Sequence, residues 1–572
     1  MFKKLFKSPF FWPILLIIFV LPTFNFLIKP GVYWNMHDDM QMIRLLEMDK
    51  CLQDGQIPCR WTPDLGFGYG YPLFNFYPPL PSAVAQVFHW LGFSYMYSIK
   101  ASAMLLILLS ALAMYLLAKE LSGPIGGFLA GLFYTYAPYR AVNIFVRGAF
   151  NEAWASLFFP LIFYFSKKLI TQPAKTKYLI LLSLSWSGLF LSHNPMALTF
   201  VLFFAPWCLY WYLATYKKFT FTPVFRLILA GILALALSAF FLLPVLFETK
   251  LVQIDTMFEN YYHYSVHFLS LRQLFLSQFW GDGPSIWNDP DAMSYSIGIL
   301  HYLIPFFILI YSLYRFIKKP SFKVFLPILI VFLALFSIVM THERFAFLWT
   351  ILAPIQKIQF PWRFLNHTLF LFSLSLAFLP TIINQIRPKL IYFIAPALAL
   401  ILFLLNYKNF FPVSCGPLTD EIKFSGQAWT NQITSGIYDY LPKTASTAAK
   451  SAAKDIIDEV TPANTEYELL GWQKGTDWQL FNLKNETQAT FTLSTLYFPN
   501  FRLINNGQEQ AYGVEPELGR ITVDLPPGQH QIYLKFHNTP IRTLGNLISL
   551  FSWIFVSISL LTRPWKKRTS TV

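Results

Sequence analysis

Long apolar runs broken by short polar stretches dominate this chain. Windows of roughly 17 to 25 residues suit a bilayer core about 30 Å thick, and they fall near 10–29, 99–118, 124–138, 152–166, 177–191 and 196–215. Others fall near 225–247, 297–314, 323–340, 364–382, 389–406 and 543–562. The pattern predicts an all-α polytopic membrane domain of about twelve transmembrane helices. The first run reads as a retained anchor, because its apolar stretch is long and no small-x-small cleavage site follows it. The segment 345–360 is too short and interrupted for two more spans, and reads as a re-entrant or interfacial helix.

After the eleventh run the periodicity switches from helical to alternating. Strands are predicted at 489–493, 501–504, 520–525 and 531–536, with turn signals at Asn505-Asn506-Gly507 and Pro526-Pro527-Gly528. A C-terminal external β-sandwich domain before the last helix is the expected result. The stretch 445–459, rich in Ala and Lys, is predicted to be a helix leading into it. The expected division is therefore 1–406 for the multi-span domain, 407–541 for the soluble β-rich domain, and 542–572 for the last helix and a basic tail.

Composition agrees with this picture. Of 572 residues, 55% are hydrophobic and 13% charged, about half the charged fraction of an ordinary soluble protein. Lys and Arg recur at every second loop: Lys3, Lys4 and Lys7; Lys167, Lys168, Lys175 and Lys177; Lys217, Lys218 and Arg226; Arg315, Lys318, Lys319 and Lys323; Arg387 and Lys389; Arg563, Lys566, Lys567 and Arg568. Basic loops stay cytoplasmic, so both termini are expected there, with the large loops and β-domain outside. The same residues account for much of the net charge of +15, so no nucleic-acid partner is called for. Cys51 and Cys59, in the first external loop, either form a disulfide that clamps it or stand as two thiols. No Cys/His metal spacing appears.

The polar clusters all fall in the loops expected outside. They are His37-Asp38-Asp39, the segment Arg147 to Glu152, His193, the run Tyr261-Tyr262-His263-Tyr264, His342-Glu343-Arg344, and Arg363. Ionisable groups at a membrane tend to be functional or paired. Asp38 and Asp39 suit a general base, since a helix N-terminus would keep a carboxylate ionised; equally, one of them would simply cap the helix that begins near Met40. Arg147, Arg344 and Arg363, with His342, suit a phosphate clamp; alternatively Arg147 and Arg363 anchor to lipid head groups. His193 before Asn-Pro suits a cap as well as a substrate contact, and the Tyr262-His263 run suits an interfacial belt as well as a sugar-stacking platform. Glu152 and Glu343 would orient an acceptor or, with Asp39, hold a divalent cation through hard oxygen ligands. The chemistry requires no cofactor, and metal use stays open.

The basic N-terminus, first span, acidic loop, glycine/aromatic segment, many spans, β-domain and last span together resemble the GT-C superfamily of integral membrane glycosyltransferases. Within it the likeness is greatest to YfhO-type bacterial proteins and to those labelled 6-pyruvoyl-tetrahydropterin-synthase-related. It rests on His37 to Asp39, Trp61 to Gly66, the run Gly66 to Leu80, Arg147 to Glu152, Gln359-Phe360-Pro361-Trp362-Arg363 and Tyr440-Leu441-Pro442. The resemblance implies a bacterial plasma-membrane enzyme whose catalytic carboxylate is Asp38 or Asp39. It also implies inverting transfer of a sugar from a polyprenyl phosphate or diphosphate to an envelope glycan, lipid or protein. No Trp-Trp-Asp-Tyr-Gly run is present, which argues against N-linked transfer to protein. A flippase or transporter of a lipid-linked saccharide, and a non-catalytic envelope scaffold, are the competing readings; polar groups confined to one surface and no visible repeat disfavour the first.

Overall fold

The computed structural model describes residues 10–286, 293–387 and 389–562. Among these, eight helices are long and apolar enough to cross a membrane, and a ninth span results if the bent pair Phe221–Leu237 and Ala239–Leu251, which turns by 79°, is counted as one. The predicted runs near 99–118 and 124–138 lie in a single helix, Tyr95–Thr135, whose backbone breaks at Ser122 and Gly123. Gly123 has φ +83°, which a glycine adopts without steric cost, and Pro124 restarts the helix. The run near 10–29 is shorter than expected, with a ten-residue helix, Phe11–Val20, followed by a 3₁₀ turn. Lys3, Lys4, Lys7, Arg563, Lys566, Lys567 and Arg568, which carry the reading of the two termini, lie outside the described residues.

Helix direction sorts the loops. The helix Phe150–Thr171 begins with Glu152 and ends with Lys167 and Lys168, both paired with Glu120. The helix Asn194–Thr215 begins at His193 and leads to Lys217 and Lys218. Acidic and arginine-bearing loops thus share one end of these helices and the lysines the other. The stretch 345–360 forms only short turns, Ala346–Ile351 and Ala353–Ile358, rather than a span.

The strands in chain order are β1 (Val32–Trp34), β2 (Cys415–Pro417), β3 (Ile457–Thr461), β4 (Tyr467–Lys474), β5 (Trp478–Asn485), β6 (Ala489–Leu496), β7 (Phe501–Asn505), β8 (Gln508–Glu509), β9 (Gly513–Val514), β10 (Arg520–Leu525) and β11 (Gly528–Phe536). They make one four-stranded sheet in the order β3-β6-β10-β9 and one five-stranded sheet in the order β4-β5-β11-β7-β8, both antiparallel. Alternate residues such as Phe481, Leu483, Phe491, Val523, Ile532 and Leu534 are fully buried in a core common to both sheets. The predicted helix over 445–459 is not formed. Ala453 N–H bonds the Phe67 carbonyl at 3.0 Å, Ser446 and Thr447 bond Glu517, and residues 457–461 pair as β3. Tertiary hydrogen bonding overrides the helix propensity of alanine and lysine there.

The same core takes in the first loop, through Ile43, Trp61, Leu65, Tyr69, Tyr71 and Phe74. Trp61 packs edge-on against Phe501 at 5.2 Å and beside Phe536 at 5.3 Å. Tyr69 hydroxyl donates to Asp458 at 2.8 Å, and Tyr71 hydroxyl to the Gly436 carbonyl at 2.9 Å. Cys51 and Cys59 are joined in a disulfide at the back of this loop. Gly70, at φ +86°, passes so close to the Trp61 indole that a Cβ would meet its Nε1 at 2.4 Å. Gly70→Ala is therefore expected to cost at least about 2 kcal/mol, from left-handed strain and overpacking together. A Tm in detergent equal to that of wild type would show that the loop has slack here.

Candidate functional site

Two sets of backbone bonds and one side-chain amide position the acidic cluster. β1 pairs with β2, so the strand entering the cluster is tied to the segment that follows the helix Ile391–Asn406. His37 N–H then bonds the Val146 carbonyl at 3.0 Å, and Asp38 N–H the Arg147 carbonyl at 2.8 Å. Gln41 closes the seam by donating to the Gly148 carbonyl at 2.7 Å. Gly148 itself has φ +68°, and a Cβ there would lie 2.8 Å from the Asp38 carbonyl oxygen. The helix Gln41–Gln53 starts without a side-chain cap, so neither aspartate serves as its N-cap.

The two aspartates differ in what they have left to offer. Asp38 is held by both arms of Arg44, at 3.0 and 3.1 Å, and Arg44 lies 4.2 Å over the Tyr77 ring. Both carboxylate oxygens of Asp38 are thereby engaged. Asp39 is bonded through Oδ2 to Lys423, from a residue 384 positions away, whereas its Oδ1 is buried without a hydrogen-bond partner. Burial raises the Asp39 pKa above the usual carboxylate range; Lys423 opposes that rise and Asp38 adds to it. A third carboxylate, Asp439, faces the same group from the turn before Tyr440. Burial pushes it up to about 6, with Arg44 opposing and Asp38 contributing.

Behind this seam lies a more deeply buried cluster. Glu152, 1% exposed, receives Arg147 Nη1 at 2.9 Å, Arg363 Nε at 3.3 Å, Asn366 Nδ2 at 2.7 Å and the Tyr139 hydroxyl at 3.3 Å. Arg147 Nη1 also donates to Asn143 at 2.6 Å and to Tyr139 at 3.0 Å, and its guanidinium lies 4.3 Å from the Trp362 ring. Arg363 Nη1 donates to the Ile358 carbonyl at 2.6 Å and to Gln359 at 3.1 Å. Gln359, at φ +63°, also holds the Met257 carbonyl at 2.7 Å, an example of backbone strain stored beside an ionic site. Two cations against one anion leave the cluster one positive charge. Trp362 stacks on Phe360 at 4.5 Å, and the exposed Tyr262 ring meets Phe360 edge-on at 6.4 Å. These rings form an aromatic wall from surface to arginines.

The remaining sequence candidates divide. His193 caps the helix Asn194–Thr215 through Nδ1, which accepts the Met196 N–H at 3.1 Å, and it also feels Arg363, Glu152 and Arg147. His37 is exposed and enters only through its backbone. His263 is exposed and bonds Ser265. His342, Glu343 and Arg344 lie apart: Glu343 and Arg344 are exposed, His342 caps their own turn at 3.2 Å, and among the described residues no hydrogen bond or ion pair joins them to Asp39 or Glu152. Of the four residues expected to clamp phosphate, Arg147, Arg344, Arg363 and His342, the structure brings together Arg147 and Arg363, both on Glu152. Likewise Asp39, Glu152 and Glu343 do not form a ligand set for a divalent cation, because Glu152 is committed to two arginines. Among the described residues no group of three His, Cys, Asp or Glu side chains could hold a metal. Sequence reasoning missed Arg44, Asn366, Lys423 and Asp439. Arg44 was six residues from Asp38 on a predicted helix, and the other three carried no local signal.

No family model matches the chain. An uncharacterized protein of Lactococcus lactis subsp. cremoris (strain MG1363) is 27% identical over 252 residues, covering 42% of this chain and 40% of that protein. Among solved structures, the arabinofuranosyltransferase AftD from Mycobacteria aligns with TM-score 0.46 and 15% identity over 72% of this chain and 28% of its own. The Archaeoglobus fulgidus oligosaccharyltransferase in its apo form aligns with TM-score 0.42 and 14% identity over 78% and 62%. The archaeal oligosaccharyltransferase AglB from the same organism, in complex with an inhibitory peptide and a dolichol-phosphate, aligns with TM-score 0.40 and 14% identity over 78% and 62%. The chain thus spans less than two thirds of the length of each of these proteins.

Replacing Glu152 by Gln would leave two buried guanidiniums without their counter-ion, a loss of about 3–5 kcal/mol for a buried pair broken on one side. The variant is expected to show a sharply lower Tm in detergent, and wild-type stability would mean that solvent reaches the arginines. Asp439 has a different signature. Its folded pKa of about 6 exceeds the value of about 3.9 in an unfolded chain. Its contribution to stability is therefore complete below about pH 4 and is lost as pH rises through about 6. Asp439→Asn is expected to flatten that part of the Tm–pH profile and to raise Tm near neutral pH. An unchanged slope would assign the titration to another group.

Proposed function

We propose that this protein is a GT-C-type membrane glycosyltransferase, of the YfhO-like kind, that moves a sugar from a polyprenyl phosphate or diphosphate to a cell-envelope acceptor. The observation that carries the reading is Asp39. It has one oxygen tied to Lys423 and the other buried and unpartnered, on a loop stitched by its backbone to Arg147. Oδ1 takes the proton of an acceptor hydroxyl as its oxygen attacks the anomeric carbon of the donor. The bond from that carbon to the lipid phosphate oxygen breaks in the same displacement, so the configuration inverts. A raised pKa makes Asp39 a stronger proton acceptor than an exposed aspartate. Lys423 holds the carboxylate still, and Asp38 with Arg44 braces the loop.

The leaving lipid phosphate needs cations rather than an acid. Arg147 and Arg363 meet that need with one positive charge in excess, and among the described residues their bonds run through Nη1 and Nε, which leaves Nη2 of each for phosphate oxygens. The Tyr262, Phe360 and Trp362 wall offers faces for a sugar ring. In this reading the chain crosses the bacterial plasma membrane about twelve times. Both termini are cytoplasmic, and the site and a β-sandwich at 407–541 lie outside, in agreement with the basic residues at the opposite helix ends.

The test is transfer from radiolabelled undecaprenyl-phosphate sugars in reconstituted vesicles, with membrane extract as acceptor, comparing wild type with Asp39→Asn. Label is expected to enter product with wild type and to fall by about a hundredfold or more in the variant, whose Tm stays close to that of wild type. Transfer by a fully active Asp38/Asp39 double variant would overturn the assignment of the base. Labelled lipid that crosses the bilayer without transfer would point instead to a flippase.

A further inference from the structure

Bonds from two external loops carry the turn 436–440 to the acidic cluster. From the first loop, the Tyr71 hydroxyl donates to the Gly436 carbonyl at 2.9 Å and accepts the Tyr440 N–H at 2.6 Å, while Phe76 stacks on the Tyr440 ring at 5.5 Å. From the loop after the bent helix pair, Thr256 Oγ1 donates to the Tyr438 carbonyl at 3.4 Å and Gln253 N–H to the Leu441 carbonyl at 2.8 Å. Gly436, at φ +63°, leaves room for Asp439: a Cβ there would stand 2.9 Å from Asp439 Oδ2. No side chain answers that carboxylate. Among the described residues it makes no hydrogen bond and no ion pair, and Arg44 beside it gives both arms to Asp38.

Two more unspent groups adjoin it. Tyr77 and Tyr440 lie within electrostatic reach of Asp439 and Arg44 on one side and of Arg363 on the other, and among the described residues neither hydroxyl makes a hydrogen bond. The exposed Tyr262 also feels Asp439. Polar groups therefore run from the arginine pair, through two phenols, to Asp38 and Asp439.

The chemistry of displacement gives this row a direction. In a single inverting step the attacking and leaving oxygens lie on opposite sides of the anomeric carbon. With the lipid phosphate on Arg147 and Arg363, the acceptor comes from the side of the aspartates. That side sets Asp38, Asp39 and Asp439 against Arg44 and Lys423, one negative charge in excess. An anionic acceptor would meet repulsion there. A polyhydroxylated one finds a carboxylate that accepts its hydrogens and two phenols that donate as well as accept.

Resting on the transferase reading above, we propose that Asp439, Tyr77 and Tyr440 form the acceptor subsite, and that it takes a glycan free of phosphate and other anionic groups. Asp439 binds and orients the acceptor, and the reacting hydroxyl gives its proton to Asp39.

The experiment uses the full chain in reconstituted vesicles with a radiolabelled undecaprenyl-phosphate sugar. Membrane extract, passed over an anion exchanger, supplies an unretained acceptor fraction and a retained, anionic one. Wild type is expected to label the unretained fraction faster by about tenfold or more at equal sugar content. Asp439→Asn is expected to raise the acceptor concentration at half-maximal rate roughly tenfold, by more than it changes the maximal rate, and to narrow the preference between fractions. Donor half-saturation is expected to stay where it is. Because the same variant gains Tm near neutral pH, weaker acceptor binding in it is not a weaker fold. Tyr440→Phe, which keeps the stack on Phe76, is expected to raise acceptor half-saturation several-fold. Wild-type half-saturation in both variants, or preferential labelling of the retained fraction by wild type, would overturn the subsite and leave the transferase standing. No label in either fraction with wild type would overturn the transferase reading and the subsite with it.

Discussion

A carboxylate shared by two arginines and withdrawn from water is tolerable only while all three partners stay in register, since any one left alone costs several kcal/mol. Glu152 imposes that condition here. It opens the helix Phe150–Thr171, Arg147 sits in the turn before it, and Arg363 and Asn366 arrive from a segment more than two hundred residues later. Because these groups must meet, the turn 146–149 cannot drift. It is the carbonyls of that turn, from Val146, Arg147 and Gly148, that accept the N–H groups of His37 and Asp38 and the Gln41 amide. The ionic cluster thus fixes the acidic loop through the backbone rather than by direct contact with its side chains.

The charges near the seam are nearly balanced pair by pair. Asp38 is matched by Arg44 and Asp39 by Lys423, and the excess positive charge rests on the Arg147–Arg363 pair. Cation and carboxylate are therefore segregated over a short distance, with the one uncommitted oxygen of Asp39 on the acidic side. Such a layout suits a reaction that takes a proton at one point and releases an anion at another. Asp39 is completed only when the segment after residue 406 folds back, because Lys423 comes from it and β2 pairs with β1.

The glycine and aromatic run of the first loop is a joint between that loop and the β-sheets. Tyr69 and Tyr71 spend their hydroxyls on Asp458 and Gly436, and Trp61 fills the space between Phe501 and Phe536. These side chains belong to the core shared with the β-sheets. The converse holds for His193, where capping and proximity to Glu152 are both true: the residue that terminates one helix and starts the next is by position at the end of the bundle where the arginines gather.

Periodicity and composition alone determined that the chain carries many membrane-length apolar helices, that a strand-rich region precedes the last of them, and that the acidic and arginine-bearing loops share one end. Those properties are local, set by the spacing of apolar residues and by basic residues that follow each helix. The sequence also brought Asp38 and Asp39, Arg147, Glu152 and Arg363 to notice, because ionisable residues are conspicuous among apolar runs. Only the tertiary structure separated the two aspartates, gave Lys423 to one and Arg44 to the other, removed Arg344 and Glu343 from the group and added Asp439. It also turned 445–459 from a predicted helix into irregular chain that ends in β3. Each of these was decided by contacts between segments up to several hundred residues apart, where the free energy of pairing a buried charge or hydrogen-bond donor outweighs any preference that the neighbours in sequence express.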